Sequence, residues 1–86
     1  MEFTVYILES QSSKRKYIGY TADVNKRLKE HNEGVNASTR NRGPWSLLYQ
    51  ENGFSTRNEA QKRENEIKRM KGGIQFKDLL SHAGIV

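Results

Sequence analysis

The sequence predicts a mixed α/β (α+β) domain, on three observations. Short β-rich runs at 4–8, 16–20 and 45–50 alternate with stretches whose apolar residues recur at helical spacing. Capping residues stand where those helical stretches begin. The chain is 86 residues long, the size of one domain, spanning residues 1–86.

The first run, Thr4–Leu8, alternates from Phe3 onward. Phe3, Val5 and Ile7 fall on one face, and Thr4, Tyr6 and Leu8 on the other. Residues 9–15 are polar and turn-prone, and Lys16–Tyr20 is again β-rich, so the two runs form an antiparallel hairpin. Tyr17 and Gly19 share one face of the second strand. Which face Tyr6 shares with them depends on the register, which periodicity leaves open.

Thr21 or Asp23 can cap a helix running to about Glu33 and closed by Gly34. Val24, Arg27, Leu28 and His31 are spaced i, i+3, i+4, i+7 and occupy one face, which turns Arg27 and His31 toward the sheet. Charges at 26, 29, 30 and 33 point elsewhere. Residues 35–44 form a polar, basic loop, and Trp45–Gln50 is a third strand ended by Gly53. Thr56 and Glu59 have capping-box spacing for a helix reaching Lys71, stopped by Gly72 and Gly73. Its inward stripe holds Ala60, Glu64 and Ile67. A final helix, Ile74–Ser81, packs back through Phe76, Leu79 and Leu80.

A chain this short has a small core and modest stability. Cysteine is absent, which excludes disulfides and zinc–thiolate sites. No apolar run approaches the roughly 20 residues of a membrane span. The first residues read into a strand rather than a signal peptide, so a cytoplasmic location is expected. Fifteen Lys/Arg against ten Asp/Glu give a net charge of +5. That excess favours polyanionic partners through counterion release.

Two helices each turn charge inward, Arg27 with His31 on one and Glu64 on the other. An Arg27–Glu64 salt bridge with a hydrogen-bonded histidine nearby would explain the helices. It would leave Tyr6 and Tyr17 as ordinary strand residues, a role phenols fill well. Taken together, however, the groups match the needs of phosphodiester hydrolysis: a base for water, a cation for phosphate and a carboxylate for a divalent metal.

The order Val5-Tyr6, then Tyr17-Ile18-Gly19, then Arg27-x-x-x-His31, then a helix glutamate resembles the GIY-YIG nuclease domain over roughly residues 3–80. Gly43-Pro44-Trp45 before a strand, and Glu59, Ala60 and Glu64, resemble its small single-domain bacterial members. Thr4 stands where the first triplet of the family has glycine. The family often has a polar amide after the helix glutamate, and Gln75 is the candidate nearby.

The resemblance implies a three-stranded antiparallel sheet flanked by helices. It also implies a metal-dependent DNA endonuclease, with a role expected in repair or recombination. Tyr17 would take or relay a proton from the attacking water, with Tyr6 hydrogen-bonded beside it. Arg27 would bind the scissile phosphate. His31 would assist proton transfer or position the phosphate. Glu64 would ligate one Mg2+ or similar ion. A phenol is a poor base unless positive charge assists it, and Arg27, Lys14, Lys16 and the metal are sources.

Lys14, Arg15, Lys16, Arg40 and Arg42 would contact DNA phosphates, and Gly19 would let the substrate backbone come close. Lys62 and Arg69 on the second helix read as solubility charges. Specificity would be low or supplied by a protein partner. The alternatives are a non-catalytic nucleic-acid-binding module of the same fold, and a basic scaffold that meets an acidic protein.

Overall fold

In a computed structural model the chain forms three strands and three helices, β1 (Phe3–Ser10), β2 (Lys16–Thr21), α1 (Val24–Asn32), β3 (Trp45–Phe54), α2 (Arg57–Met70) and α3 (Ile74–His82). Residues 2–34, 43–71 and 73–82 are described. The sheet is antiparallel throughout, in the order β2-β1-β3.

The central strand is buried on both faces. Val5 and Ile7 pack with Ile18 against Ala60 and Ile67 of α2 and Phe76 and Leu80 of α3. Tyr6 and Leu8 pack with Trp45 and Tyr17 beneath Val24 and Leu28 of α1. The alternation seen in the sequence thus separates two cores, one on each side of the sheet. Among the described residues, no helix is long and apolar enough to cross a membrane.

The starts of α1 and α2 are capped by side chains. Asp23, rather than Thr21, accepts from the Lys26 amide at 3.1 Å. Thr56 accepts from the Glu59 amide at 3.2 Å, and the Glu59 carboxylate reaches back to the Ser55 amide at 3.2 Å. Gly34 closes α1 with φ of 78°, a left-handed conformation that favours glycine.

The third strand is longer than expected. Gly53 does not end it, and β3 runs through to Phe54. Phe3 pairs with Phe54 but Val5 pairs with Glu51, so β3 carries one extra residue there. Gly53, with φ of 89°, lies in that stretch and gives the bulge the positive φ it needs. A bulge, not a turn, explains this glycine.

Two contacts fix the end of α1 and the hairpin to the start of β3. The Asn32 amide donates to the Trp45 carbonyl at 3.0 Å, and its oxygen accepts from the Trp45 amide at 2.6 Å. The Gln11 amide donates to the Pro44 carbonyl at 2.8 Å.

Candidate active site

The register settles which face each tyrosine takes. Tyr6 lies opposite Gly19, and Leu8 opposite Tyr17, so Tyr6, Tyr17 and Gly19 share the face covered by α1. A Cβ on Gly19 would sit 2.6 Å from the Tyr6 Oη. The space freed by the missing side chain is therefore filled by the Tyr6 phenol, not by a substrate backbone. Gly19 thus makes room for the Tyr6 phenol.

The Tyr6 phenol is hydrogen-bonded to His31, its Oη 3.1 Å from Nε2. Which of the two donates follows the histidine tautomer. Burial, and then the neighbouring Arg27 charge, lower the His31 pKa and favour the neutral ring. The Arg27 charge acts on the Tyr6 phenol as well. Burial pushes the Tyr6 pKa up to about 12, outweighing the opposing pull of Arg27. Tyr6 is a poor proton acceptor for water in this setting.

Tyr17 is half-buried beside this group. Its ring lies 4.7 Å from the His31 ring and 6.4 Å from Tyr6, to which it is stacked at 26°. Trp45 meets it edge-on at 6.4 Å. These contacts hold the ring while leaving Tyr17 open to a cavity of about 550 Å³.

That cavity follows the free edge of β2 and reaches both faces of the sheet. Tyr6, Tyr17 and Arg27 line it from the α1 side, and Glu64 from α2. Glu64 is 6% exposed, and its carboxylate meets Lys68 Nζ at 2.7 Å and the Gln61 amide at 3.5 Å. Arg27 pairs with Glu30, its i+3 neighbour, at 3.2 Å. The salt bridge between Arg27 and Glu64 does not form; each finds a partner on its own helix.

His31 is 2% exposed and is not on the cavity wall; it reaches the cavity-lining residues through its bond to Tyr6. The charges of α1 differ from expectation, since Lys26 and Glu30 line the cavity instead of pointing away.

The basic residues differ in setting. Lys14 and Arg15 are exposed at the hairpin turn, Lys14 with φ of 63°. Lys16 is bound at home, 2.9 Å from Glu9 Oε2 and donating to the Lys14 carbonyl at 3.1 Å. Neither Lys14 nor Lys16 lines the cavity with Tyr17, whereas Arg27 does. Arg40 and Arg42 lie outside the described residues. Arg57 and Lys68 line the cavity as well and were missed by pattern reading. Arg57 stands 5.5 Å over the Phe3 ring, a long-range contact that spacing along the chain cannot reveal.

The donor set suits a hard divalent cation of the Mg2+ kind. Such ions take one or two carboxylates and complete their shell with water and substrate oxygens. Glu64 offers one buried carboxylate in the cavity, and its two partners both meet Oε2. Among the described residues, no group of three or more His, Cys, Asp or Glu side chains gathers to hold a metal.

Comparison with known proteins adds an independent line. A family model described as the GIY-YIG catalytic domain matches residues 2–75. A UPF0213 protein of Haloquadratum walsbyi is 49% identical over 65 residues, covering 74% of this chain and 71% of that protein. A UPF0213 protein of Staphylococcus aureus is 48% identical over 65 residues, covering 74% of this chain and 77% of that protein. The solution NMR structure of a UPF0213 protein from Bacillus halodurans superimposes with a TM-score of 0.55 at 36% identity, over 99% of this chain and 87% of that one.

Proposed function

The chain belongs to the GIY-YIG family, and on that premise we propose that it is a divalent-metal-dependent endonuclease acting on DNA phosphodiester bonds. The observation that carries the reading is the convergence of Tyr17, Arg27 and Glu64 on one cavity, from three different elements. Glu64 is paired with Lys68, yet a half-buried ion pair costs desolvation that an apolar residue would avoid, so stability alone does not call for a carboxylate there.

In this reading the Arg27 guanidinium receives the scissile phosphate. Tyr6 and Glu30 hold it in place, and it stabilises the charge that builds on the phosphoryl oxygens. Water attacks phosphorus, its oxygen forming the new P–O bond as the bond to the leaving oxygen breaks. Tyr17 takes or relays the water's proton. Tyr6 keeps its own proton and fixes Arg27 and Tyr17 relative to each other. His31, neutral and buried, fixes Tyr6. Glu64 would hold the divalent cation, which when bound supplies charge stabilisation for the leaving oxygen.

Lys14 and Arg15, exposed at the hairpin, and Arg40 and Arg42 would track the DNA backbone without reading sequence. Lys26 and Arg57 add positive charge on the cavity wall. A role in DNA repair or recombination, with a protein partner that confines the cleavage, fits a charge-based mode of binding.

The test is cleavage of plasmid, branched and flapped DNA in Mg2+, with Arg27→Ala and Glu64→Gln alongside. Wild type should cut, and both variants should lose about 10²-fold or more in rate. Equal cleavage by all three would end the enzyme reading. No cleavage by wild type, with binding that survives both substitutions and weakens steeply with salt, would favour a binding module.

A further inference from the structure

The Glu64–Lys68 pair is unusual for its kind. Glutamate four residues before lysine is an ordinary helix-surface pair that contributes little on exposed helices. Here the two ends differ in environment: the glutamate side chain is 8% exposed and the lysine side chain 52%. Both line the cavity that holds Tyr17 and Arg27. The carboxylate therefore cannot rely on water, and the Lys68 ammonium, 2.7 Å from Oε2, supplies its countercharge.

We infer that Lys68 is the resident cation of the Glu64 carboxylate, a competitor that a divalent metal must displace. This rests on the reading of Glu64 as the metal-holding residue. A metal on either oxygen of the same carboxylate would stand within a few ångströms of the ammonium and be strongly repelled, because close charges interact strongly near a protein surface. Lys68 can give way. Its head is half in water on a flexible four-carbon stem, so release returns the ammonium to solvent at the cavity rim. Gln61, a neutral and more distant partner at 3.5 Å, imposes no such exclusion. Lys68 thus sets the metal affinity of the free protein: it keeps Glu64 compensated when no metal is bound, and weakens metal binding by the free energy of its own ion pair.

Direct Mn2+ binding to the free protein, followed by electron paramagnetic resonance without DNA, tests this. Lys68→Met should bind Mn2+ about tenfold more tightly than wild type, and Lys68→Arg should stay within about twofold of wild type. Circular dichroism checks that each variant is folded. Glu64→Gln should abolish the specific site in either background. If Lys68→Met binds no more tightly than wild type, or shows no binding, while Glu64→Gln removes the wild-type site, the competitor role is wrong and the metal role of Glu64 stands. If Glu64→Gln binds as wild type does, the metal reading itself is overturned.

Discussion

Two tyrosine–arginine clusters sit on opposite faces of the sheet, and they differ in one respect that matters. On the α1 face, Tyr6 meets Arg27 and His31. On the α2 face, Tyr49 donates to Glu51 at 2.5 Å, and Arg63 grips the same carboxylate through Nε at 2.8 Å and Nη2 at 2.9 Å. In both clusters burial leads in pushing the tyrosine pKa up to about 12. By that measure they look alike. Yet Glu51 satisfies Arg63 in a two-pronged pair that ties α2 to β3, and Glu66 adds a further contact at 3.4 Å. Among the described residues Arg27 has a single carboxylate partner, and it opens onto a cavity. A perturbed phenol is therefore a poor marker of function, and an arginine with donors to spare beside a cavity is a better one.

The largest expected difference between the clusters concerns their hydroxyls. Tyr17→Phe should lower DNA cleavage by about 10²-fold or more with little change in thermal stability, because it removes a proton-transfer group and keeps the ring packing. Tyr49→Phe should leave cleavage near wild type and cost about 1 kcal/mol of stability in urea unfolding, the loss of one hydrogen bond. Equal loss of cleavage in both variants would erase the distinction.

Packing gives a second, smaller contrast. Gly19→Ala brings a Cβ to 2.6 Å from the Tyr6 Oη, so the phenol must shift off His31. Destabilisation of about 1–3 kcal/mol is expected from overpacking, together with slower cleavage. Unchanged stability and activity would show that Tyr6 has room to move.

The pH dependence should separate the clusters by small steps. His31 has a folded pKa lowered below 6.5, so the unfolded chain binds the proton more readily. Its contribution is intact above pH 6.5 and is lost as pH falls below that value. Glu51 has a folded pKa lowered below 4.5, chiefly by Arg63. Its contribution is present above pH 4.5 and is lost as pH falls through the folded value. Urea unfolding against pH should therefore show two acid steps. His31→Asn should remove the upper step and Glu51→Gln the lower. A single step that neither variant alters would contradict both assignments.

Much of this was legible in the chain, for a local reason. Strand alternation and helix caps are read within a few residues, and they located five of the six elements to within a residue or two at nearly every boundary. What escaped depends on contacts between distant residues. Gly53 looked like a strand end because a bulge and a turn ask the same left-handed backbone of glycine. The seating of Tyr6 over Gly19 needs the register, and that is set by packing on both faces of β1. Helical spacing brought His31 inward, but it could not tell a cavity wall from the layer behind it. Lys68 was invisible for a similar reason: one turn of helix separates a solvated charge from one that neutralises a buried carboxylate.

The most direct test of the account sets Arg27→Ala beside Arg63→Ala, with cleavage and thermal unfolding measured on the same preparations. Arg27→Ala should cut at least about 10²-fold more slowly while melting near wild type. Arg63→Ala should melt markedly lower, because it strands a partly buried Glu51, and cut normally at temperatures where it is folded. Normal cleavage by Arg27→Ala, or a loss confined to Arg63→Ala, would contradict the assignment of chemistry to the open cluster.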